Sequence, residues 1–283
     1  MRAAAIQLNS TADKGRNLKV AERLVREAAA DGAQLVVLPE KWNLLGGAQA
    51  LREGAEPLNG PTIAAASSWA RDLGIHLLAG SIAEWVEGSE KLFNTSVLIG
   101  PDGELRARYR KIHMFDVDVG GVSYRESETE EPGNEIVSPG LGSALPGVTV
   151  GMTVCYDLRF PELYRILAVR GATVLTVPSA FTYETGKDHW EVLLRARAIE
   201  NQAFVIAPNQ VGEAPPHYRS YGHSMIVDPW GEVLAVATDG ESFVAADLDL
   251  EAEERVRATL PSLANRRPGA YLWPETMEVA SHA

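Results

Sequence analysis

The chain has 283 residues, 46% hydrophobic and 23% charged, so it can bury a sizeable core and global disorder is excluded. Its single cysteine excludes an internal disulfide scaffold, a zinc ribbon and an iron–sulfur cluster, and it favours a reducing compartment such as the cytoplasm. The net charge of −12 opposes non-specific binding to nucleic acid or to an anionic membrane, and no apolar stretch has the length of a membrane span.

The first half of the chain alternates short apolar strands with helical patterns. Residues 3–7 predict a strand, and apolar residues recur at helical spacing across 17–30 until Asp31-Gly32 ends the helix. The triplet 94–96 is a formal glycosylation sequon. The further predicted elements are a strand at 35–39, a helix at 62–73, a strand at 75–79 and a hairpin of 92–99 with 105–109.

The second half repeats this alternation after a long irregular stretch, 120–142, that carries five glutamates. Apolar strands between helices predict a mixed sheet covered on at least one face, within one domain spanning 1–265. A tail, 266–283, follows without clear periodicity. The predicted elements are strands at 148–154, 173–178 and 203–208, helices at 163–169 and 190–201, and a hairpin of 225–227 with 233–236.

Cys155 is a candidate nucleophile. It follows the apolar run 148–154, and Pro161 is placed to open the next helix. A cysteine at such a strand-to-helix elbow projects its sulfur at the carboxyl end of the strand, where the amides of the next helix favour a thiolate. The alternative interpretation is a small buried hydrophobic residue.

A thiol nucleophile needs a base, and none of the six histidines lies in a recognisable cysteine-protease or metalloprotease signature. A Cys–His mechanism therefore has no support, and no metal site is predicted. Glu40 directly follows the apolar run 35–39 and is a candidate base, because burial disfavours the charged form of a carboxylate. The alternative is a solvated loop residue.

Lys111 is a candidate oxyanion stabiliser. It lies in a run of basic residues after the predicted strand 105–109, and a solvated basic edge is the ordinary interpretation of such a run. The apolar residues Ile112, Met114 and Phe115 follow at once and would draw Lys111 inward. A buried ammonium is a fixed charge that can stabilise a developing oxyanion.

In three motifs the chain resembles the nitrilase superfamily of carbon–nitrogen hydrolases: LPEKW around Glu40, YRKIHMFD around Lys111 and CYDLRFPE around Cys155. The resemblance extends from about residue 1 to 271 and implies an α/β fold, a four-layer α-β-β-α sandwich with mixed sheets. It also implies that Glu40 is the general base, Lys111 the oxyanion stabiliser and Cys155 the nucleophile. The segment YRESETEEPG places a second glutamate, Glu126, beside the lysine. No cofactor is expected.

Within the superfamily the chain looks most like amidases that act on amides of 2-oxo acids, in the segments 178–202, 221–233 and 266–273. The first of these segments favours the deaminated glutathione amidases over the omega-amidases. The expected reaction hydrolyses the primary amide of a small carboxylate-bearing 2-oxo acid and releases ammonia through a cysteine thioester. Gly120-Gly121 departs from the Pro-Gly that relatives commonly have, which affects the pocket lip and hence substrate size.

The residues expected to bind substrate lie on the elbow and in the segment 178–202. The planar fork of Arg159 matches a carboxylate, and the alternative is an ion pair with Glu162. By resemblance, Thr185 joins Arg159 at the carboxylate, and the backbone amide of Tyr156 donates to the oxyanion. The expected set is Tyr156, Arg159, Phe181, Thr185 and His189, with loop packing as the alternative for Phe181 and His189.

Two other functional classes stay open. A nitrilase would use the same three residues on a nitrile and form a thioimidate. A non-catalytic protein with this fold would have lost one of the three residues, yet all are present. No nucleic-acid-binding motif is recognisable. The resemblance further suggests a homodimer or homotetramer packed through the helices near 161–169 and 190–201, with the tail at the interface.

Overall fold

The computed structural model describes residues 1–214, 216 and 218–270. In chain order, its strands are β1 (Arg2–Gln7), β2 (Leu35–Val37), β3 (His76–Leu78), β4 (Ile82–Glu84), β5 (Phe93–Ile99), β6 (Leu105–Arg110), β7 (Asp116–Val119), β8 (Val122–Arg125), β9 (Val150–Met152), β10 (Val174–Thr176), β11 (Phe204–Ala207), β12 (Val211–Ala214), β13 (Tyr218–Tyr221), β14 (Met225–Val227), β15 (Val233–Val236) and β16 (Ser242–Asp247). Its α-helices are α1 (Lys14–Ala30), α2 (Ala48–Gly54), α3 (Pro61–Leu73), α4 (Pro161–Val169), α5 (Tyr183–Asn201) and α6 (Leu250–Thr259).

Two sheets form the centre of the described chain. In the larger sheet the order is β16-β1-β2-β3-β5-β4, with β6 paired to β5, and only β1, β2 and β3 are parallel. In the smaller sheet the order is β15-β14-β11-β10-β9; β9, β10 and β11 are parallel and the hairpin β14–β15 is antiparallel. Both sheets are mixed, as the sequence predicted.

The two sheets pack face to face, and helices cover their outer faces. Side chains alternate along a strand, so Ala3 and Ala5 of β1 pack with the smaller sheet, whereas Ala4 and Ile6 pack with α1 and α3. The helices α4 and α5 cover the smaller sheet through residues such as Leu167 and Trp190. The predicted four-layer α-β-β-α sandwich is confirmed.

All four predicted helices begin earlier than the sequence predicted, α3 by one residue and α4 by two, and the larger differences are in α1 and α5. The helix α1 begins at Lys14 rather than at residue 17, because Asp13 caps it by accepting a hydrogen bond from the Arg16 amide at 2.9 Å. The helix α5 begins at Tyr183 rather than at residue 190, because its first two turns are mostly polar and lack apolar periodicity. Missed altogether were β4, β7, β8, β12, β13, β16, α2 and α6.

The stretch 120–142 is not one irregular loop, and that prediction is wrong. It opens inside the hairpin β7–β8, where Val119 pairs with Val122 across a two-residue turn. Gly120 and Gly121 have φ angles of +60° and +78°, the left-handed values that a tight hairpin turn of this kind requires. A short 3₁₀ helix, Glu126–Glu128, follows directly. The hairpin is short and largely exposed, so the sequence pattern does not predict it.

At the carboxyl end, the described residues finish with a 3₁₀ turn, Pro268–Ala270. The tail that is predicted to lie at a subunit interface includes Tyr271 and Trp273, and both residues lie outside the described residues. The domain boundary at residue 265 stays a prediction. Within the described ranges, none of the helices has both the length and the apolar character needed to cross a membrane.

Candidate active site

Glu40 lies just beyond the carboxyl end of β2 and is 3% exposed. Elements distant in sequence hold its carboxylate. Oε1 accepts hydrogen bonds from Asn94 Nδ2 at 2.8 Å and Lys111 Nζ at 3.0 Å, and Oε2 accepts one from the Ala180 amide at 2.8 Å. Glu40 is therefore a buried, anchored carboxylate rather than a solvated loop residue.

Lys111 directly follows β6 and is 1% exposed, so it does not belong to a solvated basic edge. Its ammonium lies between two carboxylates, 3.0 Å from Glu40 Oε1 and 2.8 Å from Glu126 Oε2. Burial lowers the pKa of Lys111, but the charges of Glu126 and Glu40 outweigh burial and hold this pKa well above its ordinary value. Lys111 is therefore a cation at neutral pH.

Cys155 begins a 3₁₀ helix, Cys155–Arg159, just behind β9, and has a φ of +48°. This left-handed conformation is strained for a residue other than glycine, and such strain is concentrated at functional sites. The Cys155 amide donates to the Pro178 carbonyl at 2.9 Å, which ties the elbow to the end of β10. The structure thus forms the strand-to-helix elbow that the sequence predicted.

The protonation state of Cys155 differs from the expectation. Burial raises the pKa of the thiol well above its ordinary value; the charge of Glu40 raises it further, and Lys111 lowers it only in part. The prediction that the elbow favours a thiolate is therefore wrong for the resting site. Since the sulfur keeps its proton at neutral pH, a base must remove this proton during attack, and Glu40 is hydrogen-bonded to the thiol.

Glu126 lies in the 3₁₀ helix that follows β8. Its carboxylate accepts hydrogen bonds from Lys111 Nζ at 2.8 Å, Asn94 Nδ2 at 3.1 Å and the Phe115 amide at 2.7 Å. Burial raises the pKa of Glu126, but Lys111 and Lys41 outweigh burial, and the net pKa lies well below its usual range. Glu126 is therefore an anion that binds the ammonium of Lys111.

Sequence reasoning missed Asn94, which it noticed only as part of a glycosylation sequon. Asn94 is 1% exposed, so a glycosylating enzyme has no access to its side chain in the folded protein. Its amide nitrogen instead donates to both Glu40 and Glu126. Asn94 thereby spaces the two carboxylates that share Lys111, a role for which no local sequence signal exists.

Asp157, also missed, fixes the elbow from behind and is fully buried. Its Oδ2 accepts hydrogen bonds from the Val154 amide at 2.8 Å and the Tyr109 hydroxyl at 2.7 Å. Its Oδ1 accepts one from the His113 amide at 3.2 Å and lies 2.7 Å from His113 Nδ1. An acid two residues beyond a candidate nucleophile was the available signal. Asp157 joins the segment after β6 to the elbow, and it thereby fixes the position of Lys111 relative to Cys155.

The cavity beside Cys155 has a volume of about 320 Å³, at the low end of the range of about 300–1,000 Å³ for small-molecule sites. The hairpin β7–β8 forms one wall, and its turn packs on α5, because a Cβ on Gly120 would meet Glu184 Cγ at 2.8 Å. Among the lining residues are Glu40, Lys111, Phe115, Val122, Tyr124, Arg125, Glu126, Cys155, Tyr156, Arg159, Phe181 and Thr185.

The predicted binding residues divide between the cavity and its rim. Tyr156, Arg159, Phe181 and Thr185 line the cavity, whereas His189 is exposed on α5 outside the lining. The guanidinium of Arg159 lies 5.2 Å from the Phe181 ring centroid, and its Nη1 lies 3.3 Å from His189 Nδ1. Within the described part of the chain, no ion pair joins Arg159 to Glu162.

Comparison with known proteins agrees with this architecture. The sequence profile of the family described as carbon-nitrogen hydrolase matches residues 2–258. The chain belongs to the carbon-nitrogen hydrolase family. It is 41% identical to omega-amidase NIT2 from Homo sapiens over 95% of this chain and 96% of the relative. It is 43% identical to deaminated glutathione amidase from Mus musculus over 95% of this chain and 84% of the relative. The solved structure of Nit3 from Saccharomyces cerevisiae, a member of branch 10 of the nitrilase superfamily, superposes with a TM-score of 0.83 at 34% identity, covering 92% of this chain and 94% of that structure.

In this hydrolase a thiol, a carboxylate bonded to the thiol and a fixed cation meet at one end of a small cavity. These groups supply what acyl transfer through a covalent intermediate requires: a nucleophile, a proton acceptor and charge stabilisation. Among the residues that the structure describes, no group of three or more His, Cys, Asp or Glu side chains is arranged to hold a metal ion.

Proposed function

We propose that this carbon-nitrogen hydrolase cleaves the amide bond of a small carboxylate-bearing 2-oxo acid amide through a cysteine thioester, with deaminated glutathione as its substrate. The observation that carries the proposal is the buried contact of Glu40 with both Cys155 and Lys111. Hydrolysis of 2-oxoglutaramate, as by an omega-amidase, is the alternative. The two relatives with these activities are about equally similar to the chain, at 43% and 41% identity.

The reaction begins when Glu40 accepts the proton of the Cys155 thiol and the sulfur attacks the amide carbonyl. The resulting tetrahedral oxyanion is stabilised by the Lys111 ammonium and by the backbone amide of Tyr156. Protonated Glu40 then gives its proton to the amide nitrogen, the C–N bond breaks and the amine leaves. A thioester between the acyl group and Cys155 remains.

Hydrolysis of the thioester uses the same groups in a second round. Glu40 accepts a proton from a water molecule, whose oxygen attacks the thioester carbonyl. A second tetrahedral intermediate collapses, the carboxylic acid product leaves, and the sulfur recovers its proton from Glu40. Glu126 holds Lys111 against the reacting carbonyl and helps to orient the substrate amide. Each of these steps needs only groups of the protein and water.

The substrate's carboxylate binds Arg159 and Thr185 in this proposal. In a protein with a net charge of −12, an anion has to find positive charge locally. Arg159 supplies a planar, bidentate donor, and the ring of Phe181 beneath its guanidinium limits its freedom to turn. Tyr156 lines the cavity next to Cys155. His189 acts on the substrate only through Arg159.

The leaving group distinguishes the two substrates. The carboxamide of 2-oxoglutaramate is primary and releases ammonia, whereas the amide bonds of deaminated glutathione are secondary and release an amine. The reaction with ammonia as product therefore applies to the omega-amidase alternative. The acyl half is a 2-oxo acid in both cases, so the same acyl pocket serves both substrates.

The test is a panel of deaminated glutathione, 2-oxoglutaramate, 2-oxosuccinamate, an aliphatic amide and an aliphatic nitrile. The acid product, the amine and ammonia are all quantified, and kcat/KM is compared across the panel. The proposal expects the largest kcat/KM for deaminated glutathione with release of an amine. A larger value for 2-oxoglutaramate selects the omega-amidase alternative, a preference for the nitrile selects a nitrilase, and no turnover of any compound overturns the proposal.

Self-association through α4 and α5 is part of the proposed function. These helices expose large apolar side chains, with Val169 at 49%, Val192 at 66% and Ile199 at 48% exposure. We expect light scattering at micromolar concentration to give a homodimer or homotetramer; a monomer would refute this. A reducing compartment such as the cytoplasm suits a mechanism that depends on a single free thiol.

A further inference from the structure

Lys41 and Glu130 form a buried lysine–carboxyl pair that the mechanism above does not use. The side chain of Glu130 is fully buried, that of Lys41 is 9% exposed, and 2.8 Å separates Lys41 Nζ from Glu130 Oε1. Both residues border the cavity that contains Cys155. Apolar residues in place of a buried ion pair are often neutral or stabilising, so stability alone does not account for this pair.

The pair extends a row of alternating charges that begins at the proposed base. Glu40 contacts Lys111, and Lys111 contacts Glu126. Glu126 also faces Lys41, with 3.7 Å between Glu126 Oε1 and Lys41 Nζ. Lys41 then contacts Glu130. Glu126 therefore contacts two lysines, of which Lys111 in turn contacts Glu40.

A strained backbone brings Lys41 into this row. Lys41 has a φ of +51°, a left-handed conformation that is unfavourable for a lysine, and its amide donates to Ser81 Oγ at 3.1 Å. This turn lets two consecutive residues, Glu40 and Lys41, join the charge row at separate points. Glu40 contacts Lys111, and Lys41 lies between Glu126 and Glu130. Backbone strain that survives at a site indicates that the side chain placed there has a role.

We propose that Lys41 and Glu130 are positioning residues for the reaction: Lys41 helps to hold the carboxylate of Glu126 in place against Lys111, and the carboxyl group of Glu130 holds Lys41. The inference rests on the proposed function, because it acts through Lys111 as the oxyanion stabiliser. If Lys41 is removed, two neighbouring buried carboxyl groups lose their shared cation, and the carboxylate of Glu126 loses one of the contacts that fix its position. A less firmly fixed Glu126 then holds Lys111 less firmly.

Glu130 also makes the row sensitive to pH. Burial raises the pKa of Glu130 to about 8; the charge of Lys41 opposes this rise and that of Glu126 adds to it. Glu130 is therefore mostly neutral at pH 7 and becomes an anion at alkaline pH, where it competes with Glu126 for Lys41. Other charged or titratable groups near Glu130 are Glu128 and Glu131 on its own segment, Lys111, Glu40 and Cys155 beyond Glu126, and Arg52 and Lys91, which donate to the backbone of residues 128 and 127.

The test compares Lys41→Met, Lys41→Arg and Glu130→Gln with a control, Lys14→Met. The control breaks a partly buried Lys–Glu pair, Lys14 with Glu56, whose residues do not line the cavity. Three properties are measured from pH 6 to 9.5: kcat on the panel amide that the wild type turns over fastest, the rate at which iodoacetamide alkylates the single cysteine, and the melting temperature. The alkylation rate needs no substrate and reports the ionisation of Cys155 directly.

We expect Lys41→Met to lower kcat at least about tenfold and to slow alkylation, because losing a cation makes the thiolate less favourable, whereas Lys41→Arg retains kcat within about threefold of the wild type. Glu130→Gln should remain neutral above pH 8, so its kcat and alkylation rate at pH 9 should exceed those of the wild type. Lys14→Met should change the melting temperature without altering either pH profile.

The inference is overturned if folded Lys41→Met, or Glu130→Gln alone should Lys41→Met not fold, keeps the wild-type pH profiles of kcat and alkylation. It is also overturned if Lys14→Met changes those profiles as much as Lys41→Met does. A wild type that turns over no panel amide contradicts the proposed function instead. The alkylation profiles still decide this inference in that case, since they depend only on the charges around Cys155.

Discussion

The inner end of the cavity and its rim are built in different ways. At the inner end, Glu40, Lys111 and Glu126 have side chains at most 9% exposed, and each is bound by partners from several elements. At the rim, Arg159 is partly exposed; its contacts are the ring of Phe181 and the exposed His189. The groups assigned to bond breaking are thus immobilised, whereas those assigned to substrate choice retain freedom to adapt.

This difference follows from which elements carry the residues. Glu40, Lys111 and Cys155 lie just beyond β2, β6 and β9, where strands of both sheets end, and Glu126 lies just beyond β8. Burial strengthens every charge interaction there and makes an unpaired charge expensive, so each group is tightly paired. The rim residue Arg159 lies at the far end of the 3₁₀ helix that Cys155 begins, His189 lies on α5, and the largely exposed hairpin β7–β8 forms one wall. We therefore expect kcat to be sensitive to small structural changes at the inner end, and substrate preference to tolerate such changes at the rim better.

The largest expected effect is that of Cys155→Ala at the inner end. Without the sulfur no thioester forms, so kcat should fall at least about 10³-fold. The fold should persist, because the substitution removes only one buried atom and leaves the elbow's backbone bonds in place. Product release and the melting temperature of the purified variant check both expectations. Residual turnover near the wild-type rate would contradict the assignment of the nucleophile.

Asp157→Ala is expected to have the next largest effect. This change tests whether the rigidity of the inner end depends on the hydrogen bonds that Asp157 accepts behind the elbow. The change leaves the Val154 amide and the Tyr109 hydroxyl without their acceptor, which should cost about 2–4 kcal/mol of unfolding free energy. Urea denaturation measures the loss, and kcat should fall as the elbow loosens. Unchanged stability would show that the elbow is held without Asp157.

A smaller effect is expected at the rim from Arg159→Lys. Lysine keeps the charge but loses the planar fork, so KM for an anionic amide should rise about tenfold, while KM for a neutral amide and kcat change little. Steady-state kinetics on a matched anionic and neutral pair measures this. Equal effects on the two substrates would show that Arg159 does not bind a carboxylate.

The smallest effect is expected from Gly120→Ala in the hairpin turn. The new Cβ would meet Glu184 of α5 at 2.8 Å and would occupy a φ of +60°, so stability should fall by about 1 kcal/mol. The matched control is Gly74→Ala, which ends α3 with a φ of +65° but has no atom within 4 Å of the added Cβ. If Gly120→Ala changes KM, relative to the wild type, more than Gly74→Ala does, the hairpin shapes the cavity. If the two variants have equal KM values, the turn only connects the two strands.

Much of the fold and of the candidate site was predictable from the sequence alone. Apolar runs revealed the central strands because a buried strand has to be apolar throughout. Glu40 and Cys155 were recognisable because each directly follows such a run, and Lys111 because apolar residues follow it at once; all three lie within specific motifs. The polar start of α5 and the exposed hairpin β7–β8 were not recognisable, because neither carries an apolar pattern.

Tertiary structure alone decided the charge state and the connections of the site. Lys111 and Glu40 are 71 residues apart in sequence, and Glu40 reaches the Ala180 amide across 140 residues. No local pattern shows that Asn94 joins two carboxylates, that Asp157 braces the elbow, or that Lys41 and Glu130 extend the charge row. Those roles arise from distance and burial, which fix the strength of each charge interaction and appear only when the strand ends converge.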